Sequence, residues 1–251
     1  MRSLTPRRRP KTDEDVPSVV VPLVDGSQLS NRERASLLSR LAVVLGGSAR
    51  RAGAAAVTSG RWLTETVEEF APHVPVRDYR TLRDHHDGLS GNELARALID
   101  TAARATGAVG AAGGLVSTIE FSTAPPLLLT SPVQVAAETL AVVAIELKLV
   151  AELHEIYGRT AVGTPAVRAA AYLGSWTRQR RIDPFGGGAG LTAVVSSAAR
   201  RQLRRRIMRR AGSNLTTMMP FMAGAVAGAS LNSRETKRLG EALVKDLGGK
   251  P

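Results

Sequence analysis

The chain of 251 residues has no cysteine. That excludes a disulfide scaffold, thiolate zinc sites and cysteine nucleophiles. Aromatics make up only 4%, so Ala, Val, Leu and Gly must fill the core that 43% apolar residues allow. The 24 Gly and 13 Pro stay below a collagen-like or low-complexity composition. Period-two alternation of β-branched residues is nearly missing. There is no GxxxxGK[ST], no GxSxG elbow, and neither HExxH nor ExxH. The run Gly186-Gly187-Gly188-Ala189-Gly190 follows Asp-Pro-Phe and does not complete GxGxxG, so it reads as a flexible loop. Pro17, Pro22 and four acids within Asp13–Asp25 interrupt the first 26 residues, so no secretory leader is expected.

What the chain has is positive charge. Thirty-four basic against 22 acidic residues give +12, and only five of the basic residues are Lys. Ten Arg and one acid (Asp183) fall between Arg178 and Arg210, so these 33 residues carry +9 of the total. Such a block seeks polyanions: an anionic lipid surface, nucleic acid or an acidic partner.

Helix signals recur along the sequence. Ser30 with Glu33 forms a capping-box pattern ahead of Leu37, Leu38, Leu41, Val44 and Leu45, and Gly46-Gly47 are expected to end that helix. A second helix is expected over Arg61–Phe70, and Ser90 with Glu93 opens another before Leu94, Leu98, Ile99 and Ala102. Ser131-Pro132 and Thr164-Pro165 pair an N-cap with a first-turn proline and predict helices over Val133–Tyr157 and Ala166–Arg180. Leu191–Arg210 and Ser233–Leu247 also read as helices, whereas Ser18–Val24 reads as extended and broken by Pro22. The fold class is all-α: a disordered tail over residues 1–28, then a single multi-helix domain over 29–251.

Three stretches lack charge: Ala105–Ile119, Phe121–Ala137 and Ala211–Ser233. A bilayer-spanning helix needs about 20 apolar residues. The first two are shorter, and the third is diluted by Ser, Thr, Asn, Gly and Pro220, so none reads as a clear span. Gly110 and Gly114, and Gly224 and Gly228, are GxxxG pairs, with Gly107 extending the first. Glycine at i and i+4 leaves a flat strip for close helix packing, in a membrane or in a soluble Ala/Gly-rich core.

The helix over 133–157 is an apolar cylinder bearing Glu138, Glu146, Lys148, Glu152, His154 and Glu155. At about 100° per residue, Glu138, Lys148 and Glu152 share one side, while Glu146, His154 and Tyr157 share another. Lys148, Glu152 and Glu155 suit a solvent-facing stripe, but Glu146 lies opposite, between Ile145 and Leu147, and needs a partner such as Arg or His. A buried polar network of Glu138, Glu146, Lys148, His154 and Tyr157 is therefore expected. The run Arg77–Gly88 contains His85 and His86 among acids. It reads as a salt-bridged surface or a docking element, with a hydrolase that uses His85 or His86 with Glu146 and His154 as the catalytic alternative. No metal ligand set and no cofactor is expected, since adjacent histidines point in different directions.

The block Arg200, Arg201, Arg204, Arg205, Arg206, Arg209 and Arg210 leaves only Leu203, Ile207 and Met208 to face the protein and directly precedes the uncharged stretch from Ala211. This arrangement suits an anionic leaflet. Aromatic stacking residues are scarce around it and no reading helix is present, so nucleic-acid binding would be nonspecific.

Three parts of the chain resemble the EcsC protein family. They are Val74–Gly114 (Pro75-Val76-Arg77-Asp78-Tyr79-Arg80, His85-His86-Asp87-Gly88, Gly107-Ala108-Val109-Gly110), the helix from Glu138-Thr139 through Glu146-Leu147-Lys148 to Tyr157-Gly158, and the end from Pro220 through Gly224, Gly228, Asn232 and Thr236 to Gly240. The resemblance covers about two-thirds of the chain, roughly residues 78–251. It implies a helical, membrane-associated bacterial protein without an established activity, whose founding member is encoded beside an ABC transporter. The expectation is an accessory or regulatory factor at the inner face of the cytoplasmic membrane, docked through the Arg block. No sequence feature selects an enzyme.

Overall fold

Residues 132–156 form the helix around which the others assemble. From Ala136 to Leu153 almost every side chain is buried, including Glu146, Lys148 and Glu152 but not the half-buried Glu138. A helix apolar all round belongs inside a bundle. The computed structural model describes residues 14–25, 29–58, 61–123, 132–180 and 222–249. Among them the helices are α1 (Val16–Asp25), α2 (Asn31–Ala52), α3 (Ala54–Thr58), α4 (Arg61–Phe70), α5 (Tyr79–Asp84), α6 (Gly91–Thr123), α7 (Pro132–Ile156), α8 (Pro165–Gln179) and α9 (Met222–Asp246), with a 3₁₀ turn at Ala71–His73. No strand occurs among the described residues; the fold is all-α. Helices α1, α2, α4, α5, α6, α8 and α9 all touch α7.

Several starts follow the local chemistry. Ser30 and Glu33 form the reciprocal capping box, with Ser30 N donating to Glu33 Oε2 (2.8 Å) and Glu33 N to Ser30 Oγ (3.2 Å). Thr164 caps α8 ahead of Pro165, and Asp78 caps α5 through Thr81 N (2.7 Å).

Several expectations are corrected. Residues 18–24 are not extended: Val16, Val19, Val20 and Leu23, at i, i+3, i+4 and i+7, are all buried on one face of α1, and that stripe prevails over Pro22. Residues 16–25 thus belong to the packed fold and not to the tail. Gly46-Gly47 do not end α2 either. Beyond them Ser48 Oγ accepts from Trp62 Nε1 (3.0 Å), and the helix stops at Gly53, whose φ of +83° suits glycine. The last helix begins at Met222 and not at Ser233, so uncharged sequence forms its first turns.

The most extensive helix contact joins α6 and α9. Residues 99, 106, 107 and 110 of α6 meet 240, 236, 229 and 228 of α9 in that order, so the pair is antiparallel. A Cβ on Gly110 would lie 2.8 Å from the Gly228 carbonyl carbon and oxygen, and one on Gly107 would lie 3.3 Å from Ala229 O. Gly114 and Gly224 lie on the same two helices. No helix among the described residues is long and apolar enough to cross a membrane.

Candidate functional site

The polar residues of α7 are brought to separate places. Glu146, fully buried, faces α8 and α9. Its Oε2 accepts from Trp176 Nε1 (2.8 Å), and its Oε1 accepts from Thr236 Oγ1 (2.9 Å) and from the Arg180 guanidinium. The Thr106 hydroxyl lies 2.9 Å from that of Thr236, and Arg180 also reaches Glu235 Oε2 (3.0 Å). One carboxylate therefore ties α7 to α8 and α9 and, through Thr106, to α6. A buried charge is tolerable only with this degree of pairing.

On the opposite side, Lys148 and Glu152 are buried, and the expected solvent stripe is absent because α1 and the segment before α5 cover it. Arg77 grips Glu152 with two parallel bonds, Nε to Oε1 (2.7 Å) and Nη2 to Oε2 (2.8 Å). Lys148 Nζ donates to Pro75 O (2.9 Å) and lies 3.3 Å from both Asp25 Oδ1 and Glu152 Oε1. The hydrogen bond to Glu152 holds the Arg77 guanidinium above its ordinary range. His86, half-buried near Arg77 and Glu152, is pushed down by burial and by the neighbouring cation, while His85 is exposed.

Glu138 takes a third place. Its carboxylate sits over the Cα of Gly113 on α6, and the neighbouring Gln134 donates to Gly113 O (3.3 Å). His154 faces Tyr172 of α8, with ring centroids 5.3 Å apart, and its Nδ1 lies 2.7 Å from Val150 O. Burial pushes its pKa down. Tyr157 donates to Asn92 Oδ1 (2.8 Å) at the start of α6. The Arg200–Arg210 block and the 186–190 loop lie outside the described residues.

These groups work mainly as fasteners. Glu146 is engaged by Trp176, Arg180 and Thr236, whereas His86 feels the charges of Arg77 and Glu152 on the other side of α7. Among the described residues, no group of three or more His, Asp or Glu is placed to hold a metal ion. Sequence reasoning found Glu146 but not its donors. Trp176 on α8 and Arg180, its C-cap four residues on, carried the available signal. Asp25 and Pro75 gave none, because they contribute by tertiary position alone.

Comparison of the chain with protein-family models, with curated proteins and with solved structures returns no match.

Proposed function

We propose that this chain is an accessory or regulatory protein at the inner face of the cytoplasmic membrane, held there by its Arg-rich segment. The observation that carries the reading is the concentration of charge: ten Arg and one acid within residues 178–210, followed by 23 uncharged residues. Basic residues near an anionic leaflet contribute about 1 kcal/mol each. The helix directions support the same reading. Because α6 and α9 run antiparallel, the end of α6, the start of α7 and the start of α9 lie at one end of the bundle. Apart from Glu120 and Glu138, residues 105–138 are uncharged, as are residues 211–233. The charge-poor ends of these described helices thus gather at one end of the bundle, an arrangement suited to shallow insertion of Gly/Ala-rich helices. The EcsC-like residues point to the same setting and suggest a membrane transporter of the ABC type as a partner.

The test is sedimentation of the purified chain with vesicles containing phosphatidylglycerol. Binding should weaken steeply with salt, as screening of exposed charge requires, and should be lost when Arg200, Arg201, Arg204, Arg205, Arg206, Arg209 and Arg210 are all replaced by Gln. Retention by the seven-fold variant would overturn the role of the block. Stronger competition by DNA than by vesicles would favour a nonspecific nucleic-acid binder instead.

A further inference from the structure

Gly46 and Gly47 lie inside α2, a position unfavourable to helix, and neither serves a close backbone approach. A Cβ on Gly46 would meet only Val133 Cγ1 at 3.9 Å, and one on Gly47 only Arg51 Nη1 at 3.6 Å. The room they leave is a groove of about 450 Å³ between α2, α6 and α7. That volume lies in the range of small-ligand sites, roughly 300–1,000 Å³. Its α2 wall runs from Leu38 to Arg50, about 18 Å at the rise of an α-helix.

Which groups of the lining are already engaged decides what the groove can hold. Gln134 donates to Gly113 O (3.3 Å), and the Glu138 carboxylate, seated over Gly113, has its own partner in the fold. These polar groups serve the seam between α6 and α7 and are not open to a ligand. Most of the remaining wall is apolar: buried Leu38 and Ala137, half-buried Ala42 and Val133, and the two glycines. Val43 continues this strip outward and is 77% exposed, so part of it lies in water. Arg50, exposed, ends the strip one turn beyond Gly46 and sets a cation at its rim. A positive group on a ligand has no acid to meet here, because Glu138 is taken. A wholly apolar ligand would bring no counter-charge to Arg50. One acyl chain with one negative end suits the strip and the cation together.

We propose that this groove binds a free fatty acid, with its chain along Leu38, Ala42, Val43 and Val133 over the two glycines and its carboxylate on Arg50. The charge-assisted contact gives orientation. The buried methylenes give affinity, about ten-fold for each added pair while the chain still fits. The inference stands apart from the membrane reading, since it uses no residue of the 200–210 block.

The experiment is calorimetric titration of the full chain with octanoate and decanoate below their micelle concentrations, with decanol as the uncharged control. The wild type should bind decanoate about ten-fold more tightly than octanoate and more tightly than decanol. Gly47→Leu, which fills the groove at a position open to a side chain and better suited to helix, should weaken decanoate binding about ten-fold or more. Arg50→Gln, at an exposed position that the fold does not depend on, should bring decanoate down to the level of decanol and keep the step from octanoate to decanoate. The variant with all seven Arg of the 200–210 block replaced by Gln should bind decanoate as the wild type does. No binding by the wild type, equal affinity for decanoate and decanol, unchanged binding in Gly47→Leu or Arg50→Gln, or loss of binding in the seven-fold variant would overturn the proposal. Vesicle sedimentation separates the two readings. Vesicle binding without decanoate binding leaves the membrane reading standing and removes the groove, and decanoate binding without vesicle binding does the reverse.

Discussion

Gly110 of α6 and Gly228 of α9 meet backbone to backbone, yet the contact is asymmetric. A Cβ on Gly110 would lie 2.8 Å from the Gly228 carbonyl, while one on Gly228 would find its nearest neighbour, Gly110 O, at 3.6 Å. The first distance forces two helix backbones apart; the second is ordinary contact. Gly110→Ala should therefore destabilise the fold by about 1–3 kcal/mol. Gly228→Ala should be neutral or stabilising by up to about 1 kcal/mol, since alanine is the better helix former. Urea unfolding of both variants checks this, and equal losses at the two positions would contradict the geometry.

Glu146 is the charge on which α7, α8 and α9 converge, and the prediction concerns what its loss strands. Removing the carboxylate in Glu146→Ala opens a cavity beside the Arg180 guanidinium, whose side chain is 6% exposed, and takes away its most buried counter-charge, although Glu235 Oε2 stays 3.0 Å away. A cost of about 3–5 kcal/mol is expected. Trp176→Phe, which deletes one donor to the same carboxylate, should cost only about 1–2 kcal/mol. The double replacement Glu146→Leu with Arg180→Met should be more stable than Glu146→Ala, because no buried charge remains to be paired. Denaturant midpoints of the three variants, compared at constant slope, decide it.

Much of this architecture could be read from the chain, and the exceptions have common causes. The bounds of α4 and the starts of α2, α7 and α8 were legible because caps and first-turn prolines act within four residues. The burial of Glu146 was legible from its neighbours Ile145 and Leu147, but Arg180, Trp176 and Thr236 are 34, 30 and 90 residues away. Nothing local links them. Lys148 and Glu152 looked like a solvent stripe because an i,i+4 ion pair is the usual surface signature. Their burial depends on α1 folding over them, and α1 was hidden by its prolines.

Those prolines give the next expectation. Pro22 lies inside α1 and is exposed, so it removes a backbone hydrogen bond without packing in return. Pro22→Ala should stabilise the protein by about 1–2 kcal/mol, the gain in the helix being partly offset by a freer unfolded chain. Thermal unfolding monitored by circular dichroism is sufficient to see it. A loss of stability would mean that the ring supports the Lys148–Asp25 contact at the end of α1.

The last expectation concerns acid. Burial depresses the pKa of His154 below its ordinary 6.5, and Arg178 and Arg159 act in the same direction against the opposing Val150 carbonyl and Asp246. In the interval between 6.5 and the lowered native value, the unfolded chain binds the proton and the folded chain does not. Stability is therefore complete above the unfolded value, declines as pH falls through that interval, and levels off below the native value. His86, shifted in the same direction chiefly by burial, adds to the decline. His154→Phe keeps an aromatic ring against Tyr172 and removes the titrating group, so its stability should fall less steeply between about neutral pH and pH 5 than that of the wild type. Identical slopes for wild type and His154→Phe would show that His154 is not the group that loses stability in acid.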